Sequence, residues 1–434
     1  MENKSKKIEI ILKKKLLKIC KSNELFKSDK SLSGDHYFNT YSSSIGNKKL
    51  KKFFYGISTI YYVLKNVFTF FFLREYDIYT KKIISKDILV SFASIDNFLN
   101  IKEFYWGKGI FSKHIEEYFP IKKKNLNKVL IYKDKNLIKK TEKNISFFFQ
   151  GNQNRLLNKY LFLKYIIENN SIKNIFCFIN SDSYLAYYFF QLFKKRINLT
   201  KLENIFIAYE GQPFQKYFIN NLKKYNSKCK ILAYDHALDA FPINLLYDSN
   251  FSPDLLMVHS RDQYQAYIKY LNWPKERLKL IKSLRFSRQR SKRLENSLIL
   301  PYDIDKKKIE KYTSIYENFL LNLNFKIKPF QILIHPQKKN DYLHINFLKK
   351  LDLINKKNLK KFSNLKSKKI SIIFGNSSSV VELLEFTKEV FHIVIDREIE
   401  IYSDLFWPNI KKNFINQNVI KYEIFKQNHS LVWK

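Results

Sequence analysis

Glycine, proline, cysteine and methionine are scarce in this 434-residue chain, at 8, 9, 3 and 2 residues. So little Gly and Pro excludes a collagen-like or linker-type chain. Hydrophobic residues at 45% and aromatics at 17% supply enough apolar surface to offset ordering entropy, which excludes a disordered one. The three cysteines, Cys20, Cys177 and Cys229, lie far apart. They exclude a disulfide framework and a CxxC zinc module, and imply a reduced cytoplasmic setting. No GxxxxGK[ST] loop, GxSxG elbow or zinc-ligand spacing occurs, so a P-loop NTPase, an α/β-hydrolase and a zinc enzyme are set aside. Acid is scarce too: 39 Asp plus Glu stand against 79 Lys plus Arg, a net charge of +40.

That charge favours phosphates, anionic lipids or anionic sugars as partners. Lys, Asn, Ile and Phe are abundant while Ala and Gly are rare, the skew an AT-rich genome produces. A large share of the lysine excess is therefore compositional. The length suits two or three domains with a sizeable core.

The first 30 residues are lysine-rich with a helical apolar rhythm at Ile8, Ile11, Leu16, Leu17 and Ile19, and no signal peptide is visible. Residues 53–73 carry one charge, Lys65, over a length that suffices to cross a bilayer. Lys65 at mid-span and the Tyr, Ser, Thr and Asn content favour a buried or interfacial helix, with a true span as the alternative. Residues 1–80 thus read as a basic helical extension suited to an anionic membrane surface.

From residue 87 short apolar runs alternate with amphipathic stretches. DILVSFAS, NISFFFQGN, NIFCFIN, NIFIAYEG, KILAYDH and DLLMVHS form a first series of strands, with helical segments between several of them. RLKLIKS, QILIHPQ, KISIIFGNSSS and VFHIVID form a second. Alternating strands and helices predict parallel sheets. The expected fold is α/β: two Rossmann-like domains facing a cleft, at 81–272 and 273–434, the second ending in a C-terminal tail.

Ligands in such sheets bind beyond the carboxyl ends of the strands, so the residues that end these runs carry the chemistry. Glu210 follows one strand and precedes Gly211, where it could deprotonate a hydroxyl; the alternative is a helix-start acid. Asp235 and His236 end the next strand as cleft residues near Glu210; His236 could orient an acceptor or a phosphate, the alternative being a buried His hydrogen-bonded to a backbone carbonyl. His335, before Pro336, sits where an imidazole can donate to a phosphoryl oxygen. Asn376, Ser377, Ser378 and Ser379 open a helix after Gly375, an anion site by composition, or a simple N-cap. Arg285, Arg288, Arg290 and Arg293 line a phosphate or membrane face, or are a solvated run. Asp303 and Asp305 read as a helix cap rather than a metal site.

The order acid-Gly, His-Pro, Ser cluster resembles the GT-B glycosyltransferases that use CMP-activated acidic sugars, the bacterial sialyl-, polysialyl- and Kdo transferases. The run from AYEGQPFQKYF through YDHALDAFP to VHSRDQY is similar to bacterial surface-carbohydrate biosynthesis proteins. The resemblance implies an inverting, metal-independent transferase of lipopolysaccharide or capsule assembly. It would need no cofactor beyond a nucleotide-sugar donor, and would act on a glycan or glycolipid acceptor at the inner face of the cytoplasmic membrane. It also implies roles: Glu210 as general base, and His335 and the serines as holders of the CMP phosphate; the reading of the residues themselves adds Asp235, His236 and Arg285 as acceptor or cleft residues. Tyr209 stands where the family has a second acid. Polyol-phosphate transferases that use CDP-glycerol share the His-Pro and serine features. A non-enzymatic polyanion binder and a membrane-associated structural protein are the readings of other classes.

The charge makes its own prediction. In filter binding, nucleic acid should be held at low ionic strength and released in modest salt; tight binding that persists at physiological salt would instead mark a dedicated nucleic-acid protein.

Overall fold

The structure, a computed structural model, describes residues 76–79, 86–91, 126–132 and 145–150, most of 190–283 and most of 296–432, with scattered residues of 10–21 and 160–167. Segment 53–73, the 174–180 run, Cys177, His236, Arg285, Arg288, Arg290, Arg293, Asp303 and His335 lie outside the described residues.

The mixed α/β class expected from the alternation is present. The first sheet is built from β1 (Tyr76–Tyr79), β2 (Asp87–Ser91), β3 (Leu126–Tyr132), β4 (Ile145–Gln150), β5 (Asn204–Ala208), β6 (Lys230–Tyr234), β7 (Leu255–Val258) and β8 (Leu278–Leu280). Their order is β1-β4-β3-β2-β5-β6-β7-β8. All neighbours pair in parallel except β1, which lies antiparallel on β4. Strands buried on both faces need continuous apolar runs, and β5 supplies one: Ile205, Phe206 and Ile207 are all buried. Helix α1 (Pro213–Tyr225) follows β5 and α2 (Arg261–Tyr270) follows β7. Pro213 opens α1, where its missing N–H costs nothing. Ser260 caps α2 by accepting from the Gln263 amide.

The second sheet holds β9 (Ser297–Ile299), β11 (Gln331–Leu333), β13 (Ser371–Phe374), β14 (Val390–Ile393), β15 (Ile410–Phe414) and β16 (Val419–Ile424), in the order β11-β9-β13-β14-β16-β15. Its first four are parallel and its last two antiparallel. A two-stranded pair, β10 (Lys326–Ile327) with β12 (Ser367–Lys368), lies apart. Helix α3 (Lys306–Leu321) joins β9 to the β10–β11 segment, α4 (Tyr342–Lys361) follows β11, and α5 (Ser379–Leu384) links β13 to β14. Asp305 caps α3 through the Lys308 amide, as the cap reading expected.

Three expectations change. RLKLIKS pairs through β8 with β7, so it closes the first sheet rather than opening the second. Three apolar residues cannot reveal which sheet receives them; pairing decides it. The C-terminal stretch is no tail, because β15 and β16 form a hairpin whose Ile410, Val419, Ile420 and Tyr422 are buried. In the N-terminal helix Ile11 is 52% exposed while Lys13 is buried. The lysine stem crosses apolar ground and its ammonium reaches the Ile401 carbonyl at 2.6 Å, 5.6 Å from the centroid of the Phe241 ring. Leu17 and Cys20 bury on the same face, so this part of the extension packs on the protein. Burial pushes the Cys20 thiol up to about 12. No helix among the described residues is long and apolar enough to cross a membrane.

Gly211, just after β5, has φ +67°, and a Cβ there would lie 2.2 Å from the Asn244 carbonyl oxygen. Left-handed backbone alone costs an L-residue about 1–2 kcal/mol, and a backbone oxygen cannot move aside as a side chain can. Gly211→Ala should therefore lower the urea unfolding free energy by more than about 2 kcal/mol; an unchanged midpoint would refute the close approach.

Candidate functional site

Strand order singles out two places. In the first sheet the chain steps from β2 outward to β3 and β4, then returns to lay β5 on the other flank of β2. In the second it steps from β9 to β11, then returns to lay β13 on the other flank of β9. At such reversals the flanking loops diverge and leave a crevice beyond the strand ends. Glu210 comes two residues after β5, and the Gly375–Ser379 loop directly after β13. The two motifs picked from the sequence therefore occupy the reversal points of the two sheets.

Glu210 is half-buried, while its neighbour Tyr209 is fully buried in the core. Alternation along the extended chain sends the two side chains to opposite sides, so Tyr209 does not substitute for a second acid at the strand end. Gln215 steadies the turn, its Oε1 accepting from the Glu210 amide at 2.9 Å and from the Gln212 amide at 3.1 Å. The cap of α1 is made by glutamines, with Gln212 the N-cap residue and Gln215 completing the box, and Glu210 stands two residues before it.

Asp235, after β6, is completely buried. Its Oδ2 accepts from the Tyr267 hydroxyl at 2.5 Å and from Gln263 Nε2 at 3.3 Å, and its Oδ1 from the Ala237 amide at 3.1 Å. Burial raises its pKa well above the usual carboxylate range, and the nearby carboxylates Asp239 and Glu210 add to the rise. Asp235, read from the sequence as a cleft residue, is instead buried and hydrogen-bonded, and anchors the 237–241 loop to α2.

In the second sheet, Gly375 has φ +65°, and a Cβ would lie 2.5 Å from the Tyr312 hydroxyl and 3.2 Å from Pro301 Cβ, the residue beyond β9. Only a bare backbone fits between the ends of β9 and β13. Asn376 is exposed and Ser377, Ser378 and Ser379 are half-buried. Ser377 Oγ accepts from the Ser379 amide at 3.2 Å. α5 is only six residues long, so its dipole is small and the hydroxyls and loop amides are the polar groups on offer. Val380, Val381, Leu383 and Leu384 are buried, and so is Glu382.

Sequence reasoning did not single out what stands behind this loop. His392, on β14, is fully buried, its Nε2 2.7 Å from the Gly375 carbonyl and its Nδ1 3.3 Å from the Tyr422 hydroxyl. A carbonyl only accepts, so Nε2 carries the proton and Nδ1 accepts from Tyr422. The Tyr422 oxygen accepts in turn from the Tyr402 amide at 3.2 Å. The Tyr402 hydroxyl lies 2.7 Å from the Leu238 carbonyl and 2.9 Å from the Ser377 carbonyl. The visible signal was a histidine inside the apolar VFHIVID run; Tyr402 gave none.

Around Tyr402, the 401–409 segment docks on the first sheet's loops. Trp407 Nε1 donates to the Asp239 carbonyl at 2.9 Å, Asn409 Nδ2 donates to Asp262 at 2.7 Å, and Phe406 packs edge-on against Phe241. The 237–241 loop, which Asp235 holds, and the serine loop are thus tied to one short segment. His236, Arg285 and His335 cannot be placed in this arrangement, since they lie outside the described residues.

Desolvation holds His392 down to about 4, against 6.5 for an ordinary histidine. The unfolded chain therefore binds a proton that the folded chain refuses. The His392 contribution is whole above pH 6.5, falls as pH drops, and is exhausted below about 4, a loss of about 3 kcal/mol. His392→Gln should flatten that part of the stability profile in denaturant melts between pH 7 and 4; an identical slope would remove His392 from it. No protein-family model matches this chain, and no curated protein matches it.

Proposed function

We propose that this chain is a metal-independent, inverting glycosyltransferase of GT-B arrangement. It would act in bacterial surface-polysaccharide assembly on a nucleotide-activated sugar, an acidic sugar on CMP in the form the resemblance favours. The observation that carries the reading is the placement of Glu210 and the serine loop at the two strand-order reversals, with Tyr402 joining the serine loop to the 237–241 loop that follows the neighbouring strand β6. A transferase of this kind needs a base on the acceptor side and an anion holder on the donor side of one cleft.

In the proposed reaction an acceptor hydroxyl attacks the anomeric carbon. The bond from that carbon to the phosphate oxygen breaks, and its electron pair leaves on CMP. Glu210 takes the hydroxyl proton. Ser377, Ser378 and Ser379, with Asn376 and the amides of their loop, hold the departing phosphate, joined by His335 in the sequence reading. Asp235 holds the 237–241 loop beside this base, and its fully buried carboxyl is kept out of the reacting position. Nothing in the scheme calls for a metal.

The aromatics in the second sheet's core argue against stacking on nucleic acid, although Tyr160, Tyr225, Tyr302, Tyr342 and Phe425 are exposed. Tyr312, Tyr316, Phe319, Phe347, Phe374 and Phe391 are buried against one another rather than presented as platforms. The reading puts the protein at the cytoplasmic face of the membrane, where exposed Lys14, Lys15 and Lys18 would meet anionic lipid.

Titration calorimetry with CMP, CDP and UDP tests the donor. CMP should bind, a preference for CDP would favour a polyol-phosphate donor, and no binding of any would sink the transferase reading. Glu210→Gln should lower transfer at least 100-fold, the scale of a lost general base, while CMP affinity stays within about twofold; full activity would take Glu210 out of the mechanism.

A further inference from the structure

The serine loop is gripped at two carbonyls from behind, and the two grips are connected. His392 donates to Gly375, and Tyr402 faces Ser377. Tyr422 lies between them, donating to His392 and accepting from the Tyr402 amide. Every polar atom in this chain of contacts has its role fixed by its neighbour, because each carbonyl can only accept and each amide can only donate. His392, Tyr402 and Tyr422 are all buried, so water does not compete for these bonds.

The Tyr402 hydroxyl has one proton but two carbonyls in reach, Ser377 on the second sheet's loop and Leu238 on the first's. Leu238 is itself one residue from Ala237, whose amide is held by Asp235. A shift of either loop changes which carbonyl receives the proton. The position of the serine loop is therefore coupled to that of the loop beside Glu210 through a single oxygen.

We propose that Tyr402 is a positioning residue that sets the serine loop against the 237–241 loop, and that His392 and Tyr422 hold the serine loop in register for the donor phosphate. The proposal rests on the transferase reading for its ligand but not for its geometry. It touches no reacting atom and acts through the loops it holds.

The test uses the full chain. Tyr402→Phe removes one oxygen and keeps the ring packing. In the nucleotide-free variant, amide hydrogen exchange should quicken in both 237–241 and 375–379, with β5 and β13 unchanged. CMP should bind about fivefold more weakly, the worth of one buried neutral hydrogen bond. His392→Leu should loosen 375–379 alone, and His392→Gln, whose amide can still donate to the Gly375 carbonyl, should restore it. Unchanged exchange in both loops of Tyr402→Phe overturns the proposal. Equal quickening across the whole chain also overturns it, since that marks general destabilisation. Should Tyr402→Phe fail to fold, the contrast between His392→Leu and His392→Gln decides, and no contrast counts against the proposal. If the unmodified chain binds none of CMP, CDP and UDP, the transferase reading falls and the exchange measurements still decide the coupling.

Discussion

A buried carbonyl needs a hydrogen-bond donor, and the Tyr402 hydroxyl brings its one proton within reach of two carbonyls, those of Leu238 and Ser377. Tyr402 can do this only because its ring is locked in the core between Trp407 and Tyr422. The segment that carries it is fastened on both flanks: Lys13 and Lys412 donate to the Ile401 and Tyr402 carbonyls, Trp407 binds the 237–241 loop, and Asn409 binds Asp262 on α2. Lys412 is buried, and Asp404 at 3.1 Å offsets the cost of hiding its charge. The relation between the two sheets depends on these contacts.

Buried polar groups also gather beyond the strand ends, besides those inside strands such as Ser297, Ser371 and His392. Most of the cover along the strands is apolar, and the strand runs supply it. Where the strands stop, backbone groups lose their ladder partners and must find others. Asp235, Gln263 and Tyr267 answer for the loop after β6, and His392, Tyr422 and Tyr402 for the loop after β13. The same unladdered backbone is what a ligand can use, which is why strand ends are where an α/β protein works.

The overall charge is distributed in a way composition cannot convey. Some lysines are spent internally, as Lys13, Lys216 and Lys412 are buried, while Lys14, Lys15 and Lys18 face outward from one helix. A basic helix can therefore be a packing element on one face and a charged surface on the other. In the α1–β7 region, Lys223 and Arg277 both lie near Asp254, a small partly exposed network whose value is modest.

Much of the α/β class was legible in the sequence, because a strand covered on both faces must be an unbroken apolar run, and KILAY, LLMV and SIIF are such runs. So were Glu210 and the serine loop, because the residues ending those runs fall at the sheet edge whatever the pairing. Strand order, however, is a matter of which edges meet, and no local pattern encodes it. Hence β8 joined the first sheet, and β15 and β16 the second. The histidine in VFHIVID was visible, but its partners, Gly375 and Tyr422, lie 17 and 30 residues away in the chain. Tyr402 reaches Leu238 across 164 positions. Sequence by itself determined the α/β class and the polar residues that end its apolar runs, but not the strands β1, β3, β9, β15 and β16. Only tertiary structure decided which ends share a hydroxyl, because a hydrogen bond depends on position in space and leaves no period in the chain.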